Sequence, residues 1–488
     1  MIKRMTALVL AVFVAFVVAG CGVSDNGNDT DLQDEVAYFS TEIYYEPMNE
    51  PQETLNMNTA YADVDSSFDA PEVLPWEDWR FGLTGRVSAG QWGHFYVDED
   101  GNLWGWGMFG RVYINHYCGT PFIPLPIHTT PTLIMTDVAA VCAGGWGGWG
   151  MHVMVLRNDG SLWAFGSNGE GQLGDGNSAL WGGYGSEADR DEPVHIMDDV
   201  VTVSTGGGHT MAITRDGGLW GWGTNHFGQV GDGTQNNYTM PVRVKENVSA
   251  VSAGIGYTMA IDSDNVLWAW GVNHHGQLGY ARTAGAFTNY AHTEHLRIME
   301  NVAQVSAGGH TMVIKTDGSL WAFGNNAWGN LGAGLPPNLP AQSWDHAPVT
   351  QAEPLWIMDN VVAVSAGEFD SMALTADGTL YIWGAMSGWL QLPNTQDTHP
   401  DEFIPRQAQR NRLSAEHFRL AGDVIAMSAS AGSTMLFLYE DGSIVNFGNN
   451  WSGQMGNGKV DDGAIDYETN RIQPTRSVLV TVRVGSVD

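Results

Sequence analysis

The chain has 488 residues, of which 43% are apolar and 15% charged, with 62 glycines and 20 tryptophans. Its formal charge of −33, from 21 Lys and Arg against 54 Asp and Glu, argues against a nucleic-acid surface, because phosphate contacts need clustered cations. The apolar share excludes disorder of the whole chain, and abundant Gly and Trp with few charges predict tight turns and aromatic packing rather than long surface helices.

In chain order, residues 1–20 come first. Lys3 and Arg4 precede an apolar run from Ala7 to Gly20 that is too short to span a bilayer comfortably, which is the layout of a secretory signal. Ala19 and Gly20 directly before Cys21 resemble a bacterial lipobox. That resemblance implies cleavage before Cys21, lipid such as palmitate on its thiol and on the new amino group, and tethering to the extracytoplasmic face of the cell membrane, since two or three acyl chains hold stably where one does not. An uncleaved N-terminal anchor is the alternative, and both readings export the rest of the chain. Residues 22–79 contain no Lys or Arg while Asp and Glu recur, so 21–79 is expected to be a lipid-anchored, acidic, disordered linker. After the anchor, Cys118 and Cys142 remain. A disulfide between them is permitted outside the cytoplasm, but Cys142 stands where other copies of a repeat carry Ser, which also suits a small buried thiol.

From residue 80 to 488 the chain repeats itself. A Val-Ser-Ala-Gly-like segment begins at Val87, Val141, Val203, Val251, Val305, Val364 and Met427, so there are seven copies. Each is followed by an apolar run, a turn and a second apolar run. The turn is Asp-Gly at Asp100, Asp159, Asp216, Asp317, Asp377 and Asp441, and Asp264-Asn265 in the fourth copy, which is the strongest short-range signal of a hairpin. In the second run Trp104 and Trp106, Trp220 and Trp222, or Trp321 and Phe323 share one face, with Gly105, Gly221 or Ala322 on the other. A sheet with one bulky and one flat face suits stacking on copies of itself, and radial stacking leaves only short edges exposed. The expected fold is therefore all-β, a seven-bladed β-propeller. The tail PTRSVLVTVRV from Pro474 is expected to close the ring beside the first hairpin.

The pattern V-S-A-G, G-H-T, D-G, L-W-x-W-G, N-x-x-G-Q-L-G is most complete from Val203 to Thr234. It resembles the repeat of the regulator of chromosome condensation family, over roughly residues 80–484, with departures at Tyr381, Ile382, Val445 and Asn446. The resemblance implies seven blades of four strands each. It also brings guanine nucleotide exchange on a small GTPase as one possible function, although an exported chain would not meet a cytosolic GTPase and fold alone does not settle function.

Few residues suggest chemistry. GEGQLG at Gly169 fits a dinucleotide fingerprint by letter but is not followed by a helix signal, and GQVG at Gly228 and GQLG at Gly276 mark it as a repeat turn. His94, His152, His209 and His310 recur after the first strand, with Tyr257 and Ser433 in equivalent places, and read as structural hydrogen-bonding groups rather than metal ligands. His274, His275, His292 and His295 cluster in the fourth copy, as loop histidines or as a zinc or nickel site. No cofactor, metal site or catalytic residue is assigned.

Insertions of variable length follow the GQLG-like turns, and long loops on a rigid scaffold usually carry recognition. Trp181, Tyr184, Trp344 and Trp389 in them suit an anchor for a protein or a sugar. Arg406, Arg410, Arg412 and Arg419 suit an acidic partner, or a charge-balancing face. The expected function is a non-enzymatic, membrane-tethered binding scaffold for a protein or cell-envelope glycan. Guanine nucleotide exchange and surface polysaccharide hydrolysis are the alternatives.

Overall fold

The computed structural model describes residues 85–109, 127–146, 150–179, 187–280, 291–332, 350–384, 424–430, 434–448, 450 and 452–459, with backbone alone at 465–466, 471–472 and 480–482. All of them fall in one compact unit, Val73–Ile114 with Phe122–Asp488. The signal segment, Cys21 and the acidic linker lie outside the described residues.

Each Asp-Gly pair reverses the chain. Gly101, Gly160, Gly217, Gly318, Gly378 and Gly442 have φ between +77° and +86°, and Asn265 fills the same place at +61°. In blade 3 the Gly217 N–H donates to the Thr214 carbonyl at 2.8 Å and the Gly218 N–H to Asp216 Oδ1 at 3.1 Å. One left-handed residue after the turn gives the three-residue hairpin with a bulge rather than the two-residue form.

Seven antiparallel blade sheets result, over residues 87–135, 138–197, 200–245, 248–299, 302–358, 361–384 and 424–482, with a separate two-stranded ribbon of Ile465–Asp466 and Arg471–Ile472 inside the last range. Six have four strands running in sequence order from inner to outer, and the sixth has three among the described residues. Blade 3 shows the plan: Val200–Thr205 is innermost, followed by His209–Thr214, Leu219–Gly223 and Tyr238–Lys245. The chain is a seven-bladed β-propeller. Between blades the backbone turns through a left-handed Asp or Asn, at Asp137, Asp199, Asn247, Asn301 and Asn360, with φ from +57° to +61°. These residue types tolerate that region because their short polar side chains bond locally.

Packing follows the two-faced sheet. Trp222 of blade 3 is buried against Met154, Leu162 and Ala164 of blade 2, and Trp270 of blade 4 against Met211 and Leu219 of blade 3. Phe165, Phe323, Trp383 and Phe447 repeat the contact onto blades 1, 4, 5 and 6, and Trp106 packs onto Leu436 and Ile444 of blade 7. One apolar cluster therefore seals every interface round the ring.

The GQLG turn is the socket for that aromatic. The Gln172 carbonyl accepts from the Trp222 indole at 3.0 Å, Gln229 from Trp270 at 2.9 Å, and Gln454 from Trp106 at 2.8 Å. The last glycine of the turn leaves room for the ring. A Cβ on Gly174 would sit 2.7 Å from the Trp222 nitrogen, and one on Gly231 2.4 Å from that of Trp270. GEGQLG at Gly169 is thus a blade-to-blade contact, and the strands on either side of it are Leu162–Gly166 and Arg190–Met197.

A second ring lies deeper. The inner-strand serine of each blade accepts a backbone N–H from the next: Ser88 from Ala143 at 2.9 Å, Ser204 from Ala253 at 2.9 Å, Ser252 from Ala307 at 2.9 Å, Ser306 from Ala366 at 2.9 Å, and Ser365 from Ala429 at 2.9 Å. Ser428 accepts from Ala89 at 3.0 Å, which joins the seventh blade to the first. Cys142 takes the serine place in blade 2. It is a free thiol with Sγ 3.0 Å from Thr205 Oγ1, and burial pushes its pKa up. Cys118 lies outside the described residues.

Ring closure corrects one expectation. Val480–Val482 pairs with Ile444–Gly448, Thr481 opposite Val445, so the tail completes the outer edge of its own seventh blade. Blade 1 already has four strands of its own. The chain opens blade 1 with an inner strand and ends blade 7 with an outer one, so the tail fills the outer place of the blade it follows. Instead His94 clasps the seam, its Nδ1 donating to Asn446 Oδ1 at 2.9 Å and its Nε2 accepting from Thr434 Oγ1 at 2.9 Å. Burial lowers the His94 pKa to about 4, so the neutral ring required by this arrangement is the stable one.

Candidate functional site

Each blade with a described outer strand sends two connections out at the same end of the ring: the one between inner and second strands, and the one between third and outer strands. The first kind is short and glycine-rich for a steric reason. The Gly145 N–H donates to the Gly206 carbonyl at 3.0 Å, Gly207 to Gly254 at 3.2 Å, Ile255 to Gly308 at 3.2 Å, and Gly309 to Gly367 at 2.9 Å. A Cβ on Gly206 would lie 2.5 Å from the Gly254 oxygen, and one on Gly308 2.2 Å from that of Gly367. Adjacent backbones thus draw together round the mouth of the central channel.

Beneath this collar sits the ring of recurrent histidines. His209 Nε2 donates to Thr258 Oγ1 at 2.9 Å, and that hydroxyl donates to the Gln229 carbonyl at 2.7 Å. His310 repeats the relay through Ser371 to the Asn330 carbonyl, at 2.6 Å for each step. Tyr257 substitutes for the imidazole, bonding Thr311 Oγ1 at 2.9 Å. Burial lowers His209 and His310 to about 3 and His152 to about 4, so the rings are neutral.

Two members of the expected set are displaced. His209 pairs with Gly223 across its hairpin, but in blade 1 it is Gly93 that pairs with the corresponding Gly107, and His94 sits one residue later opposite Trp106. The first loop is one step out of phase with the third, and His94 serves the seam instead. In blade 7 the slot belongs to Thr434, which pairs with Gly448, and Ser433 lies outside the described residues. Three of the fourth-copy histidines have separate partners: His292 meets the Tyr280 hydroxyl, His295 Nε2 donates to the Gly231 carbonyl at 2.9 Å, and His274 packs edge-on to Phe227, while His275 lies edge-on to His274 with its buried Nδ1 outside any hydrogen bond. Among the described residues no three His, Cys, Asp or Glu side chains converge on a point that could hold a metal ion.

One contact spans the mouth. The indole Nε1 of Trp146, in the inner loop of blade 2, donates to Glu368 Oε1 at 2.8 Å, and Glu368 belongs to the corresponding loop of blade 6. Burial pushes the Glu368 carboxyl up to about 7, and the Trp146 bond works against that rise. Trp146 remains 37% exposed, so this face presents an aromatic edge beside a titratable acid. Sequence reasoning missed both residues. The available signal was a comparison of copies, because Glu368 stands where blades 3 and 5 have Gly207 and Gly309.

Trp181, Tyr184, Trp344, Trp389, Arg406, Arg410, Arg412 and Arg419 lie outside the described residues, so their side chains are not placed. The strands that bracket them are described. Trp181 and Tyr184 fall between Leu162–Gly166 and Arg190–Met197, and Trp344 between Leu320–Asn325 and Thr350–Met358. Trp389 and the four arginines fall between Leu380–Gly384 and Val424–Ala429. Each of these connections begins at the end of a third strand, which is the end bearing Trp146 and Glu368.

This blade plan has known counterparts. Residues 126–487 match the family described as the RCC1-like domain. The chain belongs to that family. The RCC1-like chain is 25% identical over 403 residues to the E3 ubiquitin-protein ligase HERC2 of Homo sapiens, covering 80% of this chain and 6% of that protein. It is 28% identical over 313 residues to the ultraviolet-B receptor UVR8 of Arabidopsis thaliana, covering 62% of this chain and 64% of the receptor. It thus spans less than two thirds of the length of either relative. Among solved structures, Prp20p of Saccharomyces cerevisiae, described with its binding to Gsp1p and histones, superposes with a TM-score of 0.57 at 17% identity, over 84% of this chain and 90% of that one. Human WBSCR16 gives a TM-score of 0.55 at 17% identity, over 77% and 94% of the two chains. These two likenesses show the shared fold.

Proposed function

We propose that this RCC1-like propeller is a non-enzymatic scaffold that binds a protein partner on the loop-bearing end of its ring, held at the extracytoplasmic face of a cell membrane by lipid on Cys21. The observation that carries the reading is the Trp146–Glu368 bridge on that end. The recurrent aromatics and serines, with His209 and His310, are engaged in contacts between blades, whereas this indole and acid vary between copies, Trp146 being 37% exposed and Glu368 half-buried. The variable connections holding Trp181, Trp344 and Trp389 start at the same end. An exposed aromatic beside a polar partner is the usual anchor of a protein interface. Prp20p, with the same fold, is described as binding proteins.

The test is cross-linking in cells with the full chain, comparing the parent, a Trp146→Ala variant and a Cys21→Ala variant. A discrete cross-linked partner that weakens about tenfold with Trp146→Ala is expected, as for an aromatic anchor. Cys21→Ala should move the protein out of the membrane fraction. Equal cross-linking by the parent and Trp146→Ala overturns the site, and unchanged membrane fractionation of Cys21→Ala overturns the tether.

A further inference from the structure

The connections between inner and second strands, at 90–92, 145–151, 206–208, 254–256, 308–309, 367–369 and 430–433, contain one charged residue, Glu368. Its backbone is fixed by both neighbouring blades. The Glu368 N–H donates to the Ser430 carbonyl of blade 7 at 3.4 Å, and a Cβ on Gly309 of blade 5 would lie 2.2 Å from the Glu368 carbonyl oxygen. Phe369 beside it meets Trp328 of blade 5 edge-on, with 5.9 Å between ring centroids. The carboxyl itself is half-buried and is reached by Trp146 from blade 2, across the ring.

The ionisable groups of the elements packed against Glu368 supply no positive charge. Asp370, two residues on, is buried in the second strand of the same blade. The second strand of blade 5 begins with His310 and that of blade 2 with His152, both neutral, and that of blade 7 begins with Thr434. Burial therefore governs the carboxyl, and only the Trp146 bond offsets it.

An anion so placed is complementary to a cation brought from outside. The bond from Trp146 uses Oε1, so Oε2 is the atom that a second donor would meet. The indole, 37% exposed, belongs to the ring type that attracts cations most strongly. An acidic segment would be repelled here, and a wholly apolar one would strip the remaining water from the carboxylate with nothing in exchange. At longer range the formal charge of −33 draws basic surfaces toward the chain.

Building on the scaffold reading above, we infer that the protein partner docks a Lys or Arg side chain at this mouth, its cation bonded to Glu368 and covered by the Trp146 ring. The carboxyl must be ionised to hold the cation, so proton and partner compete for it. Binding is tight above pH 7 and weakens below it.

The experiment titrates the full chain, isotope-labelled at its tryptophan indoles, with acetyl-Gly-Lys-Gly-amide and with its norleucine counterpart, which keeps the methylene chain and lacks the ammonium. The Trp146 signal is identified by its loss in Trp146→Phe. The lysine peptide should shift that signal saturably at pH 8, with a midpoint of about 10 mM or below, the strength of one charge-assisted hydrogen bond with a cation–π contact. The midpoint should rise about tenfold or more at pH 5.5. Neither the norleucine peptide with the parent nor the lysine peptide with Glu368→Gln should shift it. In cells, Glu368→Gln should weaken the cross-linked partner about tenfold, as Trp146→Ala does. A Trp146 signal left in place by the lysine peptide, moved equally by both peptides, or moved in Glu368→Gln as in the parent overturns the cation site. Loss of the cross-link in Trp146→Ala with full cross-linking by Glu368→Gln means a partner anchored without a cation, which overturns this inference and leaves the scaffold standing. Equal cross-linking by the parent and both variants, with the lysine peptide still bound, overturns the scaffold reading alone.

Discussion

Glu368 and the buried histidines pull stability in opposite directions as pH changes. The histidines have folded pKa values of about 3 to 4 against a usual 6.5, so their contribution is present above 6.5 and is lost as pH falls through the folded values. Glu368 has its pKa raised from 4.5 to about 7, so its contribution is present below 4.5 and is lost as pH rises through 7. The four histidines outnumber the single acid, and the propeller is expected to lose stability on acidification. Glu368→Gln keeps the shape of the neutral acid and removes the opposing trend. Its melting temperature should exceed that of the parent by about 2 °C or more at pH 8, and the gap should close by pH 4.5. Identical pH profiles for the two proteins would show that the carboxyl is not held in a desolvating site.

At the level of the element, the GQLG turn couples one blade to the next, and its last glycine, set against the glycine two residues beyond it, separates crowding from backbone strain. Gly231 and Gly233 of blade 3 have φ of +86° and +84°, so alanine is strained at both. A Cβ at Gly233 meets nothing within 4 Å, whereas at Gly231 it lies 2.4 Å from the Trp270 indole nitrogen. Gly233→Ala should therefore cost about 1 kcal/mol, and Gly231→Ala about 3 kcal/mol once the displaced tryptophan is added. Chemical denaturation measures both, and equal losses would mean that the turn does not seat the neighbouring ring. The turn itself was legible in the letters, since it recurs after the third strands of blades 2, 3, 4, 5 and 7. Its role was not, because Trp270 lies 41 residues beyond Gln229 and nothing local marks the pair.

In the whole ring, six interfaces are joined by continuous chain and the one between blades 7 and 1 is not. That seam also holds the His94–Asn446–Thr434 clasp, with Asn446 Nδ2 buried without a partner. Local opening follows the weakest contact in stacked-repeat architectures. Hydrogen exchange should therefore reach the second-strand amides of blades 1 and 7 before those of blades 3 and 4, and the reverse order would refute a weak seam. The blade count, the hairpins and the aromatic faces were readable because a period repeats its own evidence. The seam was not. Val445 and Asn446 looked like departures from the pattern, and only the closed circle shows Asn446 answering the out-of-phase His94. Trp146 and Glu368 escaped notice for the same reason, being 222 positions apart until the circle brings them together. Since the six blades with a described outer strand each run whole from inner to outer edge, the boundaries of the repeat in the chain coincide with the boundaries of the sheets, and a cut in the backbone between two blades would divide no hydrogen-bonded sheet.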